Sequence, residues 1–232
     1  FSNLQLVRIL NTTFYSDSSK SSGGAIYSLN TDSLFIENCI FDGNISLEAR
    51  GGAIRLNNTA EVTIKNSIFN NNNSSGSGGA INSWNTDSLF IDNSNFVGNE
   101  SKNSNGGAIS FSGDANRTFY YDIRNSTMSQ NVAESWGGAI NSNNSTIVID
   151  SSIFNNNESG IGGGAMNSNG NNLTISNSSF KYNSSNASGA INAGNSTYDE
   201  NQTVTIKITD SEFVGNQNDR AGALRVWSSD TT

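Results

Sequence analysis

The sequence has no proline and no histidine, a single cysteine, only 14% charged residues and no long apolar run. Without histidine, and with Cys39 as the sole cysteine, no Cys/His spacing for zinc exists and no internal disulfide can form. No stretch approaches the roughly 18 consecutive apolar residues of a membrane span. The formal net charge of −8 argues against nucleic-acid or anionic-membrane binding, since either needs a basic patch. No GGxGxD calcium repeat occurs. The chain begins at Phe1 rather than Met and shows no leader pattern, which reads as a processed form or a piece of a longer chain.

What is present is glycine, at 23 positions, with a great deal of asparagine and serine. Such a composition can mean disorder, because it buries too little apolar surface to offset ordering entropy. Regularly spaced Ile, Leu, Val and Phe speak against that. The tetrapeptide GGAI begins at residues 23, 51, 78, 106 and 137, and the near copies GGAM, SGAI and AGAL begin at 163, 188 and 221. The intervals run from 25 to 33 residues, the mark of a solenoid or array.

A second motif alternates with the first: LFIENCIFDGN (34–44), VTIKNSIFNNN (62–72), LFIDNSNFVGN (89–99), IVIDSSIFNNN (147–157) and LTISNSSFKYN (173–183), with degenerate copies at 7–17, 121–131 and 206–216. It sets Ile36, Ile64, Ile91, Ile149 and Ile175 in one column and Phe41, Phe69, Phe96, Phe154 and Phe180 in another. Apolar residues alternate within each copy, so each is a strand with one buried face. Three short strands per coil are expected, near GAI, around the isoleucine column and around the phenylalanine column. Turns rich in Asn, Gly and Ser separate them. Helices are disfavoured, since interior glycines cost about 1 kcal/mol each. The expected architecture is an all-β parallel β-helix of about eight coils, occupying residues 1–232 as one body.

In such a stack, equivalent residues lie about 4.8 Å apart and form ladders. The paired glycines are expected to make a sharp corner with positive φ. Asn38, Asn66, Asn93, Asn125 and Asn177 are expected to form a buried amide ladder, and the asparagines ending each FxxN the same at another corner. Cys39 stands where other copies have serine and is read as a small buried residue.

Strict alternation of GGAI and FxxN along nearly the whole chain resembles the chlamydial polymorphic membrane proteins and the adhesin-like surface proteins of methanogenic archaea and some protists. Departures fall at Asp17, Met128, Ser188 and Ala221. The resemblance implies a right-handed β-helix exposed at a cell surface, with a role in adhesion or envelope structure. Its motif residues are scaffold, so it carries no binding residues over, and nothing here resembles the autotransporter barrel of the chlamydial proteins.

An enzyme must still be weighed, because polysaccharide lyases and hydrolases share the β-helix. NTD at 30–32 and 85–87 resembles a galacturonase motif, but both copies sit in the duplicated string NTDSLFI, with no adjacent acid pair and no histidine. Repetition explains them better than catalysis. No catalytic residue, cofactor site or metal site is assigned. At most, Asp32, Asp87 and Asp122 line a loop face that holds Ca²⁺ weakly. Contact candidates are Tyr120 and Tyr198, in the longer segments 112–121 and 194–203, and Trp84 and Trp227, which share one repeat position. N-glycosylation sequons include Asn44, Asn99, Asn116, Asn125 and Asn183.

The leading expectation is a non-enzymatic extracellular adhesin-like stalk that meets a protein or glycan of a host or neighbouring cell. The alternatives are a structural subunit stacking end to end with its own copies into a filament or envelope layer, and a polysaccharide-binding or polysaccharide-degrading protein.

Overall fold

The structure is a computed structural model that describes residues 1–114, 117–170, 172–195 and 204–228. It is a parallel β-solenoid with no helix among the described residues. One coil shows the plan. Ile81–Trp84 leaves the GGAI corner; Ser88–Asp92 carries the isoleucine column; Asn95–Val97 carries the phenylalanine column; and Glu100–Ser101 leads back to the next glycine pair. Each strand pairs in parallel register with its copies in the coils before and after: Ile64 with Ile91, Phe69 with Phe96, Ser74 with Ser101.

The strands form a 14-stranded, an 8-stranded and a 7-stranded sheet. The three expected strand positions are present, with two refinements. The two-residue strand that follows Asp17 and each FxxN asparagine from Asn44 to Asn183 builds the 7-stranded sheet. The first two positions belong to the single 14-stranded sheet, because Ile26–Glu37 and Ile54–Lys65 run through both without a break.

The two glycines of each pair are needed for different reasons. Gly78 has φ +75°, in the left-handed region where a side chain is strained. Gly79 needs no such angle, but a Cβ there would lie 2.1 Å from the Gly107 carbonyl oxygen and 2.5 Å from the Glu100 nitrogen. The first glycine turns the chain, and the second lets adjoining coils approach.

Inside, Phe41, Phe69 and Phe96 stack with centroids 4.7 and 4.6 Å apart and planes within 3°. Phe154 continues the column onto Phe180 at 4.7 Å. These separations equal the coil rise, so sheet hydrogen bonding itself sets the ring spacing. Met128 interrupts the column, between Phe96 and Phe154. Its coil carries extra aromatic volume, with Phe111 stacked on Tyr121 at 4.0 Å and Phe119 also fully buried. A flexible thioether fits that irregular space.

The asparagine columns differ from expectation. Asn38, Asn66, Asn93, Asn125 and Asn177 are exposed, with φ between +47° and +55°. Their role is the left-handed corner, which asparagine tolerates better than other side chains. They do link along the surface, Asn93 to Asn66 at 2.8 Å and Asn125 to the Asp92 carboxylate at 2.8 Å, but they are not a buried ladder.

The buried ladder is the FxxN column. Asn72 Oδ1 accepts from the Asn44 backbone nitrogen at 3.0 Å and Asn44 Nδ2 at 2.9 Å. Asn72 Nδ2 donates to the Phe41 carbonyl at 3.0 Å and to Asn99 Oδ1 at 2.9 Å. The same four bonds recur at Asn99, Asn131, Asn157 and Asn183. Each buried amide is thereby fully satisfied.

A second polar column runs beside it. Ser94 Oγ donates to the Asp92 carbonyl at 2.9 Å and accepts from the Ser67 nitrogen at 3.1 Å, and Ser67, Ser126, Ser152 and Ser178 repeat the arrangement. Cys39 occupies this column, fully buried, its thiol donating to the Glu37 carbonyl at 3.2 Å.

Truncating Phe69 to alanine should cost about 3–5 kcal/mol in denaturant unfolding. Asn99→Ala orphans groups in both neighbouring coils and should cost at least about 1–3 kcal/mol. Asn93→Gly, at an exposed left-handed corner, should change stability by no more than about 0.5 kcal/mol. Equal losses for Asn99→Ala and Asn93→Gly would contradict the assignment of the buried ladder.

Candidate functional site

The outer face of the GGAI strands is where the repeat is least regular. Along one outward column lie Tyr27, Arg55, Asn82, Ser110, Asn141, Asn167, Asn192 and Arg225, and along the next Leu29, Asn57, Trp84, Ser112, Asn143, Asn169, Gly194 and Trp227. Asn82, Asn141, Asn167 and Asn192 are buried although they face outward. Arg55 is largely desolvated, which, with Arg50 nearby, lowers its pKa to about 10.

Across the later coils this face forms a groove of about 230 Å³, lined by Asn105, Trp136, Asn141, Asn143, Asn167, Asn169 and Trp227. Its floor is tied together: Asn192 Nδ2 donates to Asn167 Oδ1 at 2.7 Å, and Asn167 Nδ2 to Asn141 Oδ1 at 2.9 Å. The two indoles are half-buried, each against a glycine of an adjoining coil. A Cβ on Gly162 would lie 2.7 Å from Trp136 Cζ3, and one on Gly194 would lie 2.6 Å from Trp227 Cδ2. Trp136 is further held by its backbone, which donates to Asn105 Oδ1 at 3.2 Å.

Trp84 and Trp227 do share a column, but they are not a pair. Ser112, Asn143, Asn169 and Gly194 stand between them, so five coil steps, about 24 Å, separate them. The ring that joins Trp227 in the groove is Trp136, which lies outside every column matched in the sequence.

Tyr120 is not on a free loop. It lies in the strand Phe119–Arg124, packs against Phe90 with centroids 5.9 Å apart and donates to Asp122 at 3.4 Å. That face holds a separate, charged groove of about 340 Å³ whose lining includes Lys65, Phe90, Asp92, Asp122 and Arg124. Arg124 grips Asp122 through Nε at 2.8 Å and Nη2 at 3.0 Å, and the pair raises the arginine's pKa. Tyr198 and Asn116 lie outside the described residues.

The three acids considered for calcium do not converge. Asp122 is engaged with Arg124, Asp87 pairs with Arg117, and Asp32 lies two coils from Asp87 with Ala60 between them. Among the described residues no three His, Cys, Asp or Glu side chains gather in one place. In NTD the asparagines are left-handed corners, the threonines point inward and are buried, and the aspartates face solvent.

The sequons separate by burial. Asn44, Asn99 and Asn183 are wholly inaccessible members of the amide ladder, so they cannot carry glycan in the folded chain. Asn125 is exposed.

The chain matches no family model, no curated protein and no solved structure.

Peptide mapping of material secreted from a glycosylating host should find Asn44, Asn99 and Asn183 unmodified. Glycan on Asn99 in protein that still melts cooperatively would contradict the ladder.

Proposed function

We propose that the chain is a non-enzymatic, adhesin-like β-solenoid displayed at a cell surface, a stiff extracellular body that meets its partner side-on. One observation carries this reading. The repeated columns are committed to stacking coil on coil, while side chains that break the repeat gather on outer faces, where Trp136 and Trp227 flank an uncharged groove. A body of that kind displays surface rather than moving it, and aromatic rings beside fixed polar groups are suited to recognition. The alternation of GGAI with FxxN, which resembles surface adhesins, points the same way. The partner is a protein or glycan on a neighbouring or host cell.

Antibodies to the chain should label intact, unpermeabilised cells, and beads coated with it should bind target cells saturably, with competition by soluble protein. Labelling only after permeabilisation would remove the surface role. Incubation with pectins and cell-wall polysaccharides should release no reducing ends. Release abolished by Asp32→Asn or Asp87→Asn would make the protein an enzyme instead.

A further inference from the structure

We propose that the Trp136–Trp227 groove binds an uncharged polysaccharide chain lying along the solenoid axis. The inference deepens the reading of the chain as a surface binder and rests on it for the biological setting, though the groove's chemistry stands by itself.

Charge comes first. The chain has a formal net charge of −8, yet the groove lining consists of five asparagines and two tryptophans. The groove around Asp122 and Arg124 and the one beside Asp210 and Glu212 are both lined by ionised groups. One cation, Arg225, lies beyond the lining at the end of the floor column, where its Nη1 donates to Asn192 Oδ1 at 3.4 Å; the lining itself offers no cation for an acidic polymer and no carboxylate for a basic peptide. Dense amides beside indole faces suit a neutral ligand that has many hydroxyls and an apolar C–H face. A pyranose ring has both.

Preorganisation is the second argument. The floor amides are already bonded to one another, Asn192 to Asn167 to Asn141, so little order must be gained on binding. Trp136 and Trp227 sit where only glycine lets them sit, on Gly162 and Gly194. Those glycines are not required by the corner. Gly162 precedes the GGAM pair, Gly194 lies within the strand Ile191–Asn195, and neither has a positive φ. Gly162 makes room for the Trp136 ring, and Gly194 admits the Trp227 carbonyl oxygen, 2.3 Å from a Cβ there, together with its ring.

Repeat length is the third. Successive asparagines along the groove, Asn141 and Asn167 in one column and Asn143 and Asn169 in the next, are register partners in adjoining coils, spaced about 4.8 Å. That is close to the advance of an extended polysaccharide per sugar, so a chain parallel to the axis would offer one ring per coil. A groove of about 230 Å³ is smaller than an enclosed ligand pocket of about 300–1,000 Å³. It suits a short stretch of a longer polymer.

The test is a tryptophan-fluorescence titration of the 232-residue chain with hexasaccharides of cello-, xylo-, manno- and malto-type and with a galacturonate hexamer. Affinity electrophoresis in the corresponding polysaccharides runs beside it. At least one neutral hexamer should bind saturably and the galacturonate should not. Trp136→Ala should weaken binding by about tenfold, and Tyr15→Ala, an exposed ring in the strand Thr13–Tyr15 of the 8-stranded sheet, should leave it unchanged. If Trp136→Ala melts early, Asn143→Asp places a charge at the half-exposed rim without removing any ring and should weaken binding to a similar degree. No binding by any neutral hexamer, preference for galacturonate, or undiminished binding by both groove variants would overturn the assignment. Cell binding that survives Trp136→Ala, by a chain that holds no neutral hexamer, would also overturn it and favour a protein partner elsewhere, with the adhesin reading intact. Hexasaccharide binding lost in Trp136→Ala, by a protein that does not label intact cells, would support the groove and remove the adhesin reading alone.

Discussion

The strands of the described coils are hydrogen-bonded to those of neighbouring coils rather than to one another within a coil, and the rest of the structure follows from that constraint. Because strands pair parallel and in register, each residue faces its own counterpart one coil away. A polar side chain inside the stack therefore has copies of itself and the backbone beside it as its nearest partners. An amide can be satisfied by them, since it both donates and accepts, and the Asn44–Asn72–Asn99–Asn131–Asn157–Asn183 column uses all of that capacity. A hydroxyl can do it too, as the Ser67–Ser94–Ser126–Ser152–Ser178 column shows. A carboxylate or an ammonium stacked on its own copy would meet like charge at the coil rise, and neither forms an interior column here. The low charge and the abundance of Asn and Ser are consequences of this geometry.

Much of the fold was legible because repetition converts sequence directly into registration. The isoleucine and phenylalanine columns occupy the interior, as their alternation requires. Repetition shows that a position is constrained but not by what. Asn93 falls two residues after Ile91, so strict alternation would turn it inward. Its left-handed φ of +47° ends the alternation there and places it in solvent. A corner and a buried ladder both call for asparagine, so the letter alone does not distinguish them. The same ambiguity extends to three of the sequons, whose asparagines are buried.

The groove was harder to read. Trp136 stands immediately before a glycine pair, outside both repeated motifs, so repetition gives it no counterpart. Its signal lay in another coil. The run GGGAM has one glycine more than the corner needs, and that extra Gly162 is where Trp136 rests. Gly194 stands in the same relation to Trp227. In a stacked protein, a residue that departs from its column is best explained by looking one coil up and one coil down. Met128 makes the same point from inside, as it accompanies the larger ring volume of Phe111, Phe119 and Tyr121 in its own coil.

The amide columns also have a direction. In the buried FxxN column each side chain donates to the coil that follows it, Asn44 to Asn72 and Asn72 to Asn99. In the outer columns donation runs the opposite way, Asn58 to Asn30, Asn85 to Asn58, Asn167 to Asn141 and Asn192 to Asn167. Each row is a line of aligned dipoles that polarise one another, and rows of opposite sense lie side by side within one rod. Their fields oppose, so the solenoid can lengthen coil by coil without building up a large axial dipole of the kind that grows in an α-helix. The same rows reinforce the polarity that parallel strand pairing gives the stack: a coil turned end for end would set donor against donor on the inside and the outside alike.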